Sequence, residues 1–172
     1  MLKLAIYEEN ELKKLFAVIS LNLRYIYQNL SEYRESFEIE KNTWDCHEFV
    51  SMKEDKVIGY IKYSVNRQCH YAFGFHIVNF FIEDSKCCRI FGIDLHRVLM
   101  DIFYKYNFEK INFRCVVGNP IMKSYDKLIT SCNGRVVGIY KNHVRLLDGK
   151  LYDIKDYEIL KEEFECSKYG KK

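Results

Sequence analysis

The segment Arg89-Ile90-Phe91-Gly92-Ile93-Asp94 separates a long apolar stretch, 71–82, from an amphipathic helix. A glycine-containing loop that opens a helix presents unpaired backbone N–H groups, and the helix dipole adds partial positive charge. Such a loop favours an anion, a phosphate or a diphosphate, and Arg89 can add a charge-assisted hydrogen bond. The same residues also occur before ordinary helices that bind no ligand. This segment alone therefore fits both an anion-binding loop and an ordinary loop before a helix.

The residues after this segment predict a helix, a strand and a further helix. From Gly92 onward, apolar residues share one helical face: Leu95, Val98, Leu99, Ile102, Phe103 and Tyr106. The stretch 110–117 alternates apolar and polar residues as a strand does. Asn119-Pro120 then predicts the start of a helix that runs to about Ser131, with proline at its first position.

The remaining pattern predicts strands on both sides of this central part. We expect a strand at 2–7, then one helix capped by Asn10 that runs to about residue 30, or two helices in line, and a loop at 32–46. A hairpin of 49–52 and 57–65, a strand at 71–82, and strands at 135–144 and 150–159 complete the pattern. Three antiparallel strands followed by strand–helix–strand predict an α/β fold with a mixed sheet and helices on both faces. We expect one domain, 1–167, with a basic tail, 168–172.

Composition limits the class of protein. The 172 residues are 48% hydrophobic, which is enough for a sizeable core. Basic residues number 27 and acidic residues 24, and three lysines lie in the tail, so the expected domain is neutral. Nucleic-acid-binding domains usually carry a basic surplus, and this class is therefore disfavoured. No apolar run is long enough for a membrane span or a signal peptide, and we expect a cytosolic chain.

The seven cysteines form no Cys-x-x-Cys pair, and we interpret them as reduced, mostly buried thiols. Two Cys-His dipeptides, 46–47 and 69–70, do not have the spacing of common zinc modules. We expect no metal site.

These motifs together resemble the GCN5-related N-acetyltransferases. That family carries [Gln/Arg]-x-x-Gly-x-[Gly/Ala] between a strand and a helix, which corresponds here to Arg89–Asp94. It also carries an asparagine after the next strand and a tyrosine on the following helix, which correspond to Asn119 and Tyr125. The segment 133–138 resembles the family's entry into its sixth strand. Asp94 stands where the family has a small residue, and the interval from Asn119 to Tyr125 is one residue shorter than its commonest form.

The resemblance implies a mostly antiparallel seven-stranded sheet, the GNAT-like acyl-CoA N-acyltransferase fold, with acetyl-CoA as co-substrate. The pantetheine arm would bind backbone groups near Phe81 and Ile82. The diphosphate would contact N–H groups of the following residues: Cys88, Arg89, Ile90, Phe91, Gly92 and Ile93. Asn119 would hold the pantetheine arm, and Tyr125 would protonate the leaving thiolate.

The resemblance also requires a general base and an amine-binding surface. Glu83 is the first candidate for the base and His76 the second, although a solvated loop acid and a sheet histidine are equally ordinary interpretations. The acceptor would lie among the helix at 10–31, the loop at 32–46 and the last hairpin, whose aromatic side chains are Tyr25, Tyr27, Tyr33, Trp44, Tyr140 and His143. Nothing in these residues selects one amine.

Three functions are therefore weighed. The leading hypothesis is transfer of an acetyl group from acetyl-CoA to a primary amine of a small molecule or peptide, by direct attack. The alternative is a non-catalytic acyl-CoA-binding or interaction module of the same fold. A nucleic-acid-associated protein that uses the lysine tail is a distant third. A homodimer remains open, and no membrane partner is expected.

Overall fold

The computed structural model describes residues 1–20, 38–146 and 148–170. The strands are β1 (Leu2–Leu4), β2 (Cys46–Lys53), β3 (Lys56–Asn66), β4 (Tyr71–Asn79), β5 (Lys110–Val116), β6 (Arg135–Arg145) and β7 (Leu151–Leu160). The α-helices are α1 (Glu9–Ser20), α2 (Ser85–Met100), α3 (Met122–Ser131) and α4 (Lys161–Cys166). A 3-10 turn, Ala5–Glu8, precedes α1, and a π-helical turn, Asp101–Lys105, extends α2.

The seven strands form one sheet in the order β1-β2-β3-β4-β5-β7-β6. Every neighbouring pair is antiparallel except β4 and β5, which are parallel. The parallel pair follows from the helical crossover through α2, which returns the chain to the same end of the sheet. The predicted mixed, mostly antiparallel seven-stranded sheet is confirmed.

Helices cover both faces of this sheet, as predicted. On one face Phe91 and Val98 of α2, Ile129 of α3 and Phe164 of α4 join a large core with residues of β3, β4, β5 and β7. On the other face Leu12 and Phe16 of α1 pack on a smaller core of β2 and β3. Apolar residues recur every three or four positions in these helices and alternate with polar residues in the strands. This spacing produces the two apolar surfaces.

Several predicted boundaries are wrong by a few residues. β1 ends at Leu4 because the chain turns into the 3-10 segment, and β4 ends at Asn79 instead of Ile82. The helix predicted from Gly92 begins seven residues earlier, at Ser85. Residues 21–30 of the helix predicted from Asn10, which include Tyr25 and Tyr27, lie outside the described residues. The predicted loop residue Tyr33 lies outside them as well.

The end of the described chain packs against α2. The carbonyl oxygen of Tyr169 lies 2.6 Å from Nε2 of His96, and the Tyr104 hydroxyl donates to the carbonyl of Gly170 across 2.9 Å. Tyr169 and Gly170 belong to the predicted basic tail, 168–172. In the described part of the chain, no helix is long and apolar enough to cross a membrane.

Candidate functional site

The sheet opens between β4 and β5. Their ladder consists of the pairs Tyr71 with Lys110 and Ala72 with Ile111, and no further pair joins the two strands among the described residues. Beyond Ala72 the strands diverge, so the edge of β4 that faces β5 is not covered by a neighbouring strand. An uncovered strand edge presents backbone donors and acceptors that an extended ligand can bind.

The backbone groups that face this opening belong to Ile77 and Asn79. The N–H of Phe80 donates to the carbonyl of Ile58 across 3.0 Å, so residue 80 and every second residue before it point towards β3. Because strand hydrogen bonding alternates, the N–H and C=O groups of Ile77 and Asn79 point to the opposite edge. Asn79 is thus the last residue of β4 with backbone groups in the opening.

Phe81 and Ile82, predicted on this strand edge, lie in the turn that follows β4. The Asn79 side chain causes the turn, because its Oδ1 accepts the N–H of Phe81 across 3.0 Å. The thiol of Cys88 then donates to the carbonyl of Ile82 across 3.2 Å. The prediction that Phe81 and Ile82 extend the strand is therefore wrong.

Asp84 starts helix α2 before the predicted phosphate loop. Its Oδ1 accepts the N–H groups of Lys86 and Cys87 across 2.8 and 3.2 Å, and its carbonyl accepts the N–H of Cys88 across 2.9 Å. The hydrogen bond from the Cys87 thiol and that from the Cys87 N–H lower the pKa of Asp84 to about 2. This is a strong N-cap, and the Asp84-Ser85 pair in the sequence is the signal that could have located it.

The N–H groups of residues 89–93 consequently lie within a continuous α-helix, where each bonds to the carbonyl four residues earlier. Gly92 does not open the helix, and the prediction that residues 88–93 form a loop is wrong, whereas their contact with a diphosphate stays a prediction. Phe91 is buried against the sheet, and Arg89 and Gly92 are exposed on the outer side of α2.

Asp94, the departure from the family motif, faces the sheet. Its carboxylate is 1% exposed, and Oδ2 accepts the hydroxyl of Ser51 across 2.8 Å. The same oxygen lies 3.0 Å from the N-terminal ammonium of Met1, and Oδ1 accepts Arg97 across 3.1 Å. The carboxylate is thus neutralised between α2 and β2, so it does not oppose an anion at the β4–β5 opening.

Tyr125 lies on α3 and packs beside the opening. Its ring meets that of Phe113 on β5 edge-on at 4.8 Å and that of Tyr157 on β7 at 5.8 Å. The side chain is 5% exposed, and burial raises the pKa of its hydroxyl. No hydrogen bond joins it to Arg89 or Gly92 among the described residues. The observed contacts of its ring are to β5 and β7.

Asn119 caps the turn that leads into α3. Its Oδ1 accepts the N–H of Ile121 across 3.0 Å, and its carbonyl accepts that of Met122 across 3.0 Å. The helix begins two residues after Pro120, because these turn bonds precede it. The side-chain oxygen is therefore used by the protein, and the amide N–H groups are the part of Asn119 available to a ligand.

A network of polar side chains adjoins Tyr125. Asp126 Oδ1 accepts the Tyr157 hydroxyl across 2.9 Å and the Lys155 ammonium across 2.6 Å. The thiol of Cys115 lies 3.9 Å from the Tyr157 oxygen. Burial raises the pKa of Tyr157, and the Lys155 ammonium lowers that of Asp126. The sequence pattern indicated mostly buried cysteines but gave no signal for Asp126, Lys155 or Tyr157, since only the tertiary structure brings these residues together.

The two candidate bases lie in different environments. Glu83 is exposed in the turn between β4 and α2. His76 is half-buried on the α1 face of β4 and is stacked on Phe16 at 6.0 Å. Its Nε2 is buried, and no hydrogen bond reaches it within the described part of the chain. Burial, assisted by the Lys62 ammonium, lowers the pKa of His76 to about 4, so its ring is neutral at pH 7.

A buried acid that sequence analysis missed lies on the same face. Glu48 on β2 is 1% exposed, accepts the Tyr60 hydroxyl across 2.9 Å, and lies 2.7 Å from the Lys62 ammonium. The hydrogen bond to Tyr60 and the ion pair satisfy the carboxylate inside the fold. The alternation of β2 and β3 places these side chains on one face, but the sequence does not show which strands pair.

A surface cavity of about 370 Å³ lies at the other end of the sheet, lined by Asn42, Thr43, Trp44, His47, Arg67 and Tyr106. The Arg67 guanidinium covers the indole of Trp44, which is 78% exposed. This end of the sheet holds the paired start of β4 and β5, so the cavity is separate from the opening. Among the described residues, no group of three His, Cys, Asp or Glu side chains has the arrangement of a metal site.

No protein-family model matches the chain, and no curated protein matches it by sequence. Solved structures do match. A point mutant of spermidine N-acetyltransferase SpeG from Vibrio cholerae is 20% identical, with a TM-score of 0.71 over 95% of each chain. The structure of the V. cholerae enzyme in complex with CoA and spermine is 18% identical, with a TM-score of 0.71 over 95% of this chain and 96% of that one. The chain therefore has the fold of the GCN5-related N-acetyltransferases, and at this identity the likeness establishes the fold alone.

Proposed function

We propose that the protein transfers an acetyl group from acetyl-CoA to a primary amine, by direct attack in a ternary complex. The observation that carries this proposal is the end of the β4–β5 ladder after Ala72, which leaves the Ile77 and Asn79 backbone groups uncovered beside Tyr125. A protein of the same fold has been solved with CoA and spermine, which supports an acyl-CoA and an amine as the two ligands.

The pantetheine arm would hydrogen-bond to the backbone of Ile77 and Asn79, as an added strand does. Phe81 and Ile82 would border the arm where β4 ends, and the amide N–H groups of Asn119 would contact it from the start of α3. The diphosphate would lie at the first turn of α2, where the helix dipole, Cys88 and the exposed Arg89 favour an anion. This placement replaces the loop expected at residues 88–93.

In the proposed reaction the neutral amine attacks the acetyl carbonyl while an N–H of β4 stabilises the developing oxyanion. Tyr125 gives its proton to the departing thiolate. Glu83, at the end of β4, removes the proton of the ammonium substrate directly or through water. His76 is the alternative base, because its Nε2 is neutral and has no hydrogen bond among the described residues.

Binding and turnover test the proposal separately. Acetyl-CoA at about one hundred times its Kd should raise the free energy of unfolding by about 2.7 kcal/mol. Free thiol release should then appear with at least one amine of a panel that includes spermine, spermidine, monoamines and a peptide amine. Tyr125→Phe should lower kcat by about 100-fold or more and leave acetyl-CoA binding intact.

Tyr106→Phe, a matched substitution at the other end of the sheet, should not change kcat. Absence of any thermal shift with acetyl-CoA or CoA contradicts the proposal at the binding step. Binding with an unchanged kcat in Tyr125→Phe removes Tyr125 from the acid role.

The second candidate is an acyl-CoA-binding or interaction module without turnover. The continuous helix at residues 89–93 and the Asp84 cap favour it, since they occupy N–H groups that a diphosphate would otherwise bind. Acetyl-CoA binding without thiol release for any amine in the panel would select this function.

A further inference from the structure

The narrow end of the β4–β5 opening coincides with a bulge in β4. The register of β4 against β3 shifts at this point, so that Gly74 and Phe75 together lie opposite the single residue Tyr63. Gly74 has a φ of 64°, which glycine adopts without strain. The last pair of the β4–β5 ladder joins Ala72 to Ile111, so the bulge lies directly beyond the point where the two strands part.

Two aromatic rings close one face of the sheet at this narrow end. Phe75 of β4 and Phe113 of β5 meet edge to face, with their ring centroids 6.2 Å apart. Both side chains belong to the large core on the face covered by α2 and α3, and they are 9% and 2% exposed. The contact between the rings therefore spans the gap where the ladder of backbone hydrogen bonds has ended.

Neighbouring rings hold Phe75 and Phe113, here called the aromatic wall, in place. The ring of Tyr63 stacks on Phe75 at 5.3 Å, and that of Tyr157 stacks on Phe113 at 5.2 Å. Tyr125 meets the Phe113 ring edge-on at 4.8 Å, so the proposed acid contacts the same wall. Because the rings behind the wall are close-packed, neither phenylalanine can move aside without leaving a void in the core.

The backbone beside the aromatic wall is open. Gly74 is exposed, and a Cβ built on it would meet no atom within 4 Å among the described residues. Phe75, the next residue, is packed into the core. The bulge thus leaves space at the level of the wall, whereas the wall itself has packed side chains behind it.

We propose that the aromatic wall restricts the site to acetyl-CoA by excluding longer acyl groups. The inference rests on the proposed function, in which the diphosphate lies at the start of α2 and the pantetheine arm follows Asn79 and Ile77. An arm that runs in this direction along β4 points its acyl end at Phe75. Each further methylene of a propionyl or butyryl group would have to displace a packed ring, and overpacking of a core is unfavourable. Phe75 is then the residue that determines acyl-chain length, and Phe113 holds it in position.

Acyl-CoA molecules of increasing chain length test the inference by binding and by turnover. Calorimetric titration gives the Kd for CoA, acetyl-CoA, propionyl-CoA and butyryl-CoA, and thiol release with an accepted amine gives kcat/KM for the three thioesters. The wild-type protein should bind butyryl-CoA about tenfold or more weakly than acetyl-CoA, and its kcat/KM for butyryl-CoA should be about 100-fold or more lower. The binding measurement does not depend on turnover.

Variants of Phe75 should relax this preference. Phe75→Leu and Phe75→Ala shorten the side chain, and the preference for acetyl-CoA over butyryl-CoA should fall about tenfold or more in kcat/KM. The Kd for CoA, which carries no acyl group, should not change. Phe103→Leu removes the same atoms from a buried ring that packs on Phe164 instead, and should keep the wild-type preference. Thermal unfolding shows that each variant is folded, and Phe75→Leu, which changes the volume less, decides the test if Phe75→Ala is unfolded.

The outcomes separate this inference from the proposed function. Wild-type protein that binds and uses butyryl-CoA as well as acetyl-CoA overturns the inference without any variant. A preference that persists in the folded Phe75 variants, or that Phe103→Leu relaxes equally, also overturns it, while the acetyltransferase proposal stands. Selective binding of acetyl-CoA that relaxes in Phe75→Leu, without thiol release for any amine, supports the wall and overturns only the transfer reaction. Absence of binding for every acyl-CoA overturns both.

Discussion

The hydroxyl of Ser51 donates a hydrogen bond to Oδ2 of Asp94 across 2.8 Å, and both side chains are buried between β2 and α2. The Met1 ammonium and the Arg97 guanidinium complete the shell of this carboxylate. A charge that looks incompatible with an anion-binding motif is therefore part of the packing of α2 on the sheet. These contacts of Asp94 connect the N-terminal strands to α2, the helix that borders the opening.

Removal of the Asp94 carboxylate should destabilise the fold strongly. Asp94→Ala leaves the Ser51 hydroxyl and a nearby positive charge without their buried partner, and the free energy of unfolding should fall by about 3 kcal/mol. Arg97→Ala removes a partner whose side chain is 61% exposed and should cost less than about 1 kcal/mol. Urea unfolding of both variants checks this, and equal losses would contradict the description of Asp94 as a buried centre.

The stability of the protein should depend on pH through His76. The pKa of His76 is about 4 in the folded protein and near 6.5 when exposed, so the unfolded chain binds the proton more tightly. Stability is therefore complete above about pH 6.5, falls as the pH drops towards 4, and loses up to roughly 3 kcal/mol. Lys62, Glu48 and Tyr60 share this face of the sheet, and the positive Lys62 acts in the same direction as burial.

Urea unfolding between pH 4 and pH 7.5 measures this dependence. His76→Gln should flatten the profile across that window, whereas His143→Gln, at an exposed position of β6, should leave it unchanged. A wild-type profile that matches that of His76→Gln would show that the histidine does not titrate differently on folding.

The close approach of α2 to the sheet should forbid a side chain at residue 59. A Cβ on Gly59 would lie 2.2 Å from Cδ2 of Phe91, inside the buried core. Gly59→Ala should therefore cost about 1–3 kcal/mol of unfolding free energy. The cost should shrink in the Phe91→Leu background, since the two residues share this contact. Gly138→Ala, where the added Cβ meets nothing within 4 Å, is the matched control. Additive losses in the double variant would refute the contact.

The charge of Asp84 should weaken acetyl-CoA binding. Asp84→Asn keeps the capping oxygen for Lys86 and Cys87 but removes a negative charge from the helix end proposed to face the diphosphate. The Kd for acetyl-CoA should tighten by about two- to fivefold at low ionic strength, and less in high salt. Calorimetric titration measures it, with Asp148→Asn in the turn between β6 and β7 as control. An unchanged Kd would place the phosphates away from this helix end.

The order of the elements could be predicted because local signals set it. The alternation of apolar and polar residues at 110–117 predicted β5, and the apolar stripe that begins at Leu95 predicted most of α2. Asn119-Pro120 predicted the start of α3 within two residues. The start of α2 was missed because glycine was given more weight than the Asp84 cap. That error moved the expected start of α2 by about two turns of helix.

The candidate site stays a prediction. Tyr125 lies beside the opening, and its ring packs on Phe113 of β5 and Tyr157 of β7, which are two other elements. Local pattern cannot identify them, because no periodicity within one segment reports which strand will be its neighbour. Glu48 was missed for the same reason, because its partners Tyr60 and Lys62 lie on the next strand.

The sequence by itself determined the type and order of most elements, the neutral charge of the expected domain and the parallel crossover around α2, because periodicity, caps and chirality act locally. The tertiary structure alone decided that Asp94 would be neutralised by Ser51 and Met1, that Nε2 of His76 would be buried and that β4 would part from β5 after Ala72. These outcomes depend on contacts between residues far apart in the chain, where packing and desolvation select one arrangement from many that the local pattern allows.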